Sequence, residues 1–219
     1  MRTLIAVSVV FLCLGVAFTT LITDNWSAIK RALVSPEIVF ITSDEAALTR
    51  IANSQALDIT WEQLLPELER ELITKYQAPE PERISDLTDQ ILRSIEASSD
   101  TEYQSAMVST NTISTFDNAH VSLAGFVVPI EFYDDTSPSL VFLVPYFGAC
   151  IHFPPPPPNQ IVFARLPPGF DQLDINQAYT FEGILQQGLF EDQMGTSAYE
   201  MNVTSISLYE GQPDDLRNH

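Results

Sequence analysis

Basic residues are scarce. Lysine and arginine number 10 among 219 residues, against 29 aspartates and glutamates, a formal net charge of −19 at pH 7. A protein that tracks nucleic-acid phosphates needs clustered Lys and Arg, so this balance argues against that class. It argues equally against docking on anionic lipid headgroups. Cysteine is nearly absent: Cys13 and Cys150 are the two in the chain. Cys13 lies in an apolar run, so a bridge between them would tie a membrane-type segment to the body of the protein, and Cys150 is left as a lone thiol in an otherwise exported chain. There is no internal repeat and no Rossmann-type alternation of strand and helix. Hydrophobic residues make up 45%, which allows a core and argues against global disorder.

The apolar run is Leu4 to Ile22, uncharged throughout, with Arg2 before it. As a helix its 19 residues would reach roughly 28 Å, about one hydrocarbon core. It reads either as a retained anchor or as a signal peptide cut after Gly15-Val16-Ala17. Lys30 and Arg31 beyond it blur the charge asymmetry, but long domains translocate largely regardless of such charges. Both readings place the remainder in the periplasm, tethered to the inner membrane or released. A lipid-bearing Cys13 fits poorly, because Leu12 before it is bulky. Beyond residue 23 the chain has 9 basic and 29 acidic residues, a self-repelling soluble surface.

Helical patterns come next. Asp44 to Ala56 is weakly helical, with Ser43 as a candidate cap. Thr60 followed by Gln63 reads as a capping box, and Pro66 either follows a short turn or opens a helix that runs to Tyr76. Pro79 and Pro81 interrupt it. Ser85 is placed to cap a second helix carrying Leu87, Ile91, Leu92 and Ile95 on one face. The two helices read as a hairpin at about 60–97 laid on another layer, and residues 97–118, rich in Ser, Thr and Asn, as a loose connection.

From His120 the period changes. Val121–Glu131, Leu140–Val144, Ile161–Ala164, Tyr179–Leu185 and Ala198–Leu208 read as five strands, with Gly125 and Gly183 inside strand patterns where bulges or tight bends belong. Five strands between Pro/Gly/Asp-rich turns suit a small closed barrel or a sandwich. The expected fold class is α+β. Residues 1–23 form the signal or anchor segment, 24–118 a helical region and connection, 119–209 the β domain and 210–219 a polar tail.

One stretch stands apart: Pro145-Tyr146-Phe147-Gly148-Ala149-Cys150-Ile151-His152-Phe153, five prolines from Pro154 to Pro158, then Asn159-Gln160. Together with Gly125–Pro129, Leu143-Val144, Ile161-Val162 and Trp61–Pro66, it resembles domain-of-unknown-function family 3299 of Gram-negative bacteria over about residues 57–208. The resemblance implies an envelope protein with an OB-like barrel, of the oligonucleotide/oligosaccharide-binding type. It also implies company with metal-responsive and transporter genes, hence an envelope transport complex as partner.

Read as chemistry, Cys150 and His152 are two apart and share a face if extended. Thiolate and imidazole suit zinc or copper(I), and the prolines would stiffen the segment. Two ligands do not close a zinc site; His120 is the candidate third, with Glu131, Asp134 and Asp135 as oxygen donors. The same Cys150 also suits a small buried apolar side chain. A Cys–His nucleophile lacks a visible third orienting residue, so the chain reads first as a non-catalytic accessory protein, with an enzyme using Cys150 as the third reading after metal handling and protein docking. Tyr146, Phe147, Pro155, Asn159 and Gln160 are the candidate binding residues of a protein-docking module, with Phe153 as a further aromatic.

Overall fold

The computed structural model describes residues 36–76, 84–149, 155–170, 173–211 and 213. The chain divides into two compact units, Met1–Glu37 and Ile38–His219, and every strand and helix among the described residues lies in the second. In chain order these are β1 (Ile38–Ile41), α1 (Glu45–Ile51), β2 (Leu57–Asp58), a 3-10 turn (Trp61–Leu64), α2 (Glu67–Tyr76), α3 (Ile84–Ser99) and α4 (Thr101–Ala106). They continue with β3 (His120–Phe132), β4 (Pro138–Val144), a second 3-10 turn (Pro158–Gln160), β5 (Val162–Arg165), β6 (Ala178–Asp192) and β7 (Gly195–Leu208).

Five strands close on themselves. β3 pairs antiparallel with β4, β4 antiparallel with β5, β5 parallel with β7, β7 antiparallel with β6, and β6 antiparallel with β3. Closure into a mixed five-stranded barrel leaves no sandwich edge, which decides between the two architectures the strand pattern allowed. β1 and β2 fall within the stretch expected to be helical region, yet both join the sheet. β1 pairs with β7 at Ser205–Ser207, beyond the reach of β5, and β2 pairs parallel with β3 at Val121–Ser122, beyond the reach of β4. Each extends the wall where a barrel strand has run out.

Alternation along the strands sorts the side chains. Val121, Leu123 and Val127 of β3, Val141 and Leu143 of β4, and Tyr179, Phe181 and Leu185 of β6 share one buried cluster with Tyr199, Met201 and Val203 of β7. Trp61 and Leu64, fully buried, enter that cluster from the first 3-10 turn. The opposite set, Phe126, Phe142, Val144 and Phe163, belongs to a second cluster on the other side of the wall. Gly183 is required by close approach. A Cβ built there would collide with the Asn202 carbonyl oxygen. The register shifts between Glu182 and Gly183, so the bulge expected at this glycine is present. At Gly125 the sheet is regular, and the missing side chain admits the Val144 carbonyl instead.

Local corrections follow from caps. α1 ends at Ile51, short of Ala56, and its cap is Asp44, not Ser43; the Asp44 carboxylate accepts from the Ala46 and Ala47 amides at 2.9 and 3.2 Å. Both alternatives at Pro66 are realised, a 3-10 turn and then α2. The Gln63 side chain accepts from the Thr60 amide at 2.9 Å, as the capping-box spacing predicts. Ser85 falls inside α3 instead of before it. The expected loose connection contains α4, capped by Asp100, whose carboxylate also accepts from Lys75 and Tyr76 at 3.1 and 2.7 Å. The Tyr76 hydroxyl, the Tyr103 amide and Lys75 hold the Asp100 carboxyl well below the usual carboxylate range. β6 runs on to Asp192, past Leu185, because Gln186–Asp192 still finds partners on β7. Among the described residues no helix is long and apolar enough to cross a membrane. The anchor or signal segment 1–23 and the breakers Pro79 and Pro81 lie outside the described residues.

Candidate functional site

Barrels of this type seat oligonucleotides and oligosaccharides on the outer face of their second and third strands. Here those strands are β4 and β5, and the face is filled by the chain itself. Phe142 and Phe163 project there, 0% and 1% exposed. Phe190, on the extended part of β6, lies flat on Phe163 at 3.7 Å between centroids and edge-on to Phe142 at 6.0 Å. The Arg165 guanidinium covers the Phe163 ring at 5.2 Å. The β6–β7 arm therefore occupies the place of a ligand.

The polar end of the proline segment is structural. Asn159 and Gln160 are 0% and 2% exposed, so neither is presented to solvent. Gln160 Nε2 donates to the Trp61 carbonyl at 2.6 Å, and Asn159 Nδ2 donates to Glu69 Oε2 and the Asn111 carbonyl at 2.6 and 2.9 Å. Glu69 is a buried carboxylate whose other oxygen accepts from Ser109 and from the Asn111 amide group, each at 2.7 Å. Trp61 Nε1 donates to the Ala124 carbonyl at 2.7 Å, and the Tyr199 hydroxyl donates to the Leu64 carbonyl at 2.8 Å. Burial pushes the Tyr199 phenol up. The two stretches Trp61–Pro66 and Asn159-Gln160 thus meet as one clasp that fixes α2 to the barrel. Nothing in the local sequence marks Glu69 as its hub; donors 40 to 90 positions away make it one.

Of the other binding candidates, Tyr146 is buried in the outer cluster. Phe147 is 48% exposed and stands edge-on to Phe126 at 5.9 Å. Pro155 is exposed, while Pro156 and Pro157 are buried. Cys150, His152 and Phe153 lie outside the described residues; Ala149 just before them is fully buried.

His120 is buried at the start of β3. Its Nδ1 meets Ser54 Oγ and its Nε2 meets Glu182 Oε1, both at 2.9 Å. Both ring nitrogens are thus engaged, and the Ser54 hydroxyl also donates to the Ile51 carbonyl at 3.0 Å, so neither nitrogen is open to a metal in this arrangement. The pairing holds the turn after α1 against β6. The Ser54 and Glu182 contacts carry no signal in the sequence, being 66 and 62 positions from His120. Asp134 closes the β3–β4 turn, where the Thr136 and Ser137 amides hold its carboxyl below the ordinary range. Glu131 and Asp135 are exposed. Among the described residues no group of three or more His, Cys, Asp or Glu side chains is placed to hold a metal ion.

The most unusual surface is on α3. Ile91, Leu92 and Ile95 are 60%, 58% and 58% exposed. Among the described α3 side chains Ala97 is the buried one. At about 100° per residue the three large side chains lie about 120–160° round the helix from Ala97. Among its described side chains the helix buries the small Ala97 and turns Ile91, Leu92 and Ile95 outward, contrary to the packing role its periodicity suggests.

Residues 61–208 match a family described as "Protein of unknown function (DUF3299)". The fold is similar to the crystal structure of a DUF3299 family protein from Pseudomonas aeruginosa, with a TM-score of 0.50 and 28% identity, covering 72% of this chain and 99% of that one. No curated protein matches the chain.

Proposed function

Since the chain belongs to the DUF3299 family of proteins of unknown function, we propose that it is an exported, non-catalytic accessory protein of the bacterial envelope that docks a protein partner. The outward stripe of α3 carries this reading, because a soluble domain leaves contiguous large apolar side chains uncovered chiefly where something else covers them. Two further features support it. The β4–β5 face is already filled, which disfavours a small ligand or a nucleic acid there. The apolar segment Leu4–Ile22 supplies a route out of the cytoplasm, and a component of an envelope transport complex is a partner in keeping with it. A photo-crosslinking residue in place of Ile95, in the full chain within its native envelope, is expected to give one discrete adduct that Ile91→Asp removes. The same residue in place of Glu191 is expected to give none. No adduct from position 95, or equal adducts from both positions, would sink the reading.

A second reading, uptake of zinc or copper, is favoured by the anchoring around Cys150 and His152. Ala149 on one side is fully buried, Pro156 and Pro157 on the other are buried, and Asn159 and Gln160 beyond them are held in the clasp. Thiolate and imidazole two residues apart are fitting donors for either ion. The full chain, purified under reducing conditions, is expected to carry close to one equivalent of metal, lost in both Cys150→Ala and His152→Ala with the circular dichroism unchanged. A protein that arrives metal-free and takes up neither added ion overturns this second reading.

A further inference from the structure

We propose that the α3 stripe is the docking face for a basic amphipathic helix of the partner protein; the inference rests on the docking reading above and names the chemistry of that partner. Ile91 and Ile95 are one turn apart with Leu92 beside them, the spacing by which helices present anchors to a facing groove or helix. Asp89 and Glu96, both exposed and seven residues apart, line one side of the stripe with Arg93 one turn from each, a flank with an acidic excess of the kind that sets partner choice between paired helices. Residues 61–106 as a whole carry 11 acidic and 4 basic side chains. One of those basic residues, Lys75, is already bound to Asp100 at 3.1 Å.

Charge decides among the occupants. A membrane surface is disfavoured, because interfacial helices hold anionic lipid with Lys and Arg on their polar face, and α3 has Arg93 alone. A second copy would bring Asp89 and Glu96 against the same acidic layer, on two chains each of net charge −19. A partner helix with an apolar ridge and flanking Lys or Arg satisfies both features of the face. It buries the three side chains and neutralises the two carboxylates. Opposite charge also speeds encounter.

The test uses two synthetic amphipathic peptides with the same leucine ridge, one with lysine and one with glutamate at the polar positions. Binding to the full chain in zwitterionic nanodiscs is read by fluorescence anisotropy. The lysine peptide is expected to bind at least tenfold more tightly than the glutamate peptide, and that preference to shrink as salt rises from about 0.05 to about 0.5 M. The Ile91→Ser, Ile95→Ser double variant should lose at least tenfold for the lysine peptide with its helical signal unchanged. The Asp89→Asn, Glu96→Gln double variant should narrow the gap between peptides. Equal affinity for the two peptides overturns the inference. So does lysine-peptide binding that ignores the isoleucine changes, since that is adsorption to net charge. Self-association, or binding to anionic vesicles, that depends on Ile91 and Ile95 likewise overturns it in favour of a second copy or a membrane. A crosslinked partner from position 95 whose contacting segment is acidic removes this inference and leaves docking standing. Absence of both adduct and peptide binding removes the two together.

Discussion

Trp61→Ala is expected to lower the unfolding free energy of the full chain by about 3–5 kcal/mol, the range for truncating a buried aromatic. Trp61 is fully buried in the barrel cluster, and its ring nitrogen donates to the Ala124 carbonyl. Alanine leaves both a cavity and an unpaired carbonyl. Trp61→Phe separates the two effects: it keeps most of the packing and drops the donor, with an expected loss of about 1–3 kcal/mol. Against a total stability of about 5–15 kcal/mol for a domain, the alanine variant should unfold at a much lower urea concentration, followed by circular dichroism. A loss under about 1 kcal/mol for the alanine variant would mean that the segment 61–66 is not part of the cooperative unit.

Gly183→Ala should be nearly as damaging although it adds a single methyl group. The nearest atoms to the new Cβ are backbone of β7: the Asn202 oxygen in direct collision, its carbonyl carbon at 2.9 Å and the Val203 Cα at 3.0 Å. No rotamer change relieves them; β6 and β7 must separate at the bulge where Thr204 Oγ1 bonds the Glu182 carbonyl at 3.0 Å. The expected cost lies at or above the top of the about 1–3 kcal/mol range for overpacking. Gly188→Ala, on the same strand, is the control. Its Cβ would meet Glu200 Cβ at an ordinary 3.5 Å, and its effect should stay within about 0.5 kcal/mol. Equal midpoints for the two variants, measured by urea denaturation, would show that the strands do not approach as closely at Gly183 as the register requires.

What the sequence made legible and what it hid divide along the reach of the interactions. The barrel strands were readable because alternation is local. Val121, Leu123 and Val127 face one way whatever they pair with. β1 is not readable: Ile38–Ile41 is four apolar residues without alternation, and only the edge of β7 that β5 does not reach makes them a strand. α3 was legible as an amphipathic helix, but periodicity names a face and not its neighbour, so the outward turn of Ile91, Leu92 and Ile95 had no signature. Asn159 and Gln160 looked like surface groups after a proline run. Their burial depends on Glu69 and Trp61, 90 and 99 positions away. His120 is legible in the sequence as a candidate third metal ligand, but Ser54 and Glu182, which share its ring, are beyond any local pattern.

The clasp also sets an order of events during folding. The seat of Trp61–Leu64 is assembled from Ala124, Gln160 and Tyr199, at separations of 63, 99 and 135 residues. None of these contacts forms locally, and the last waits for the final strand. Such a chain closes its barrel slowly, because long loops must be ordered before non-local pairing compensates for them. In an exported chain the early segment would emerge first and find nothing to bind until nearly all the rest had crossed. The strands would spend that interval with their apolar faces open, in need of a holding chaperone. The same delay keeps the polypeptide unfolded, the state in which it can be threaded through a narrow channel.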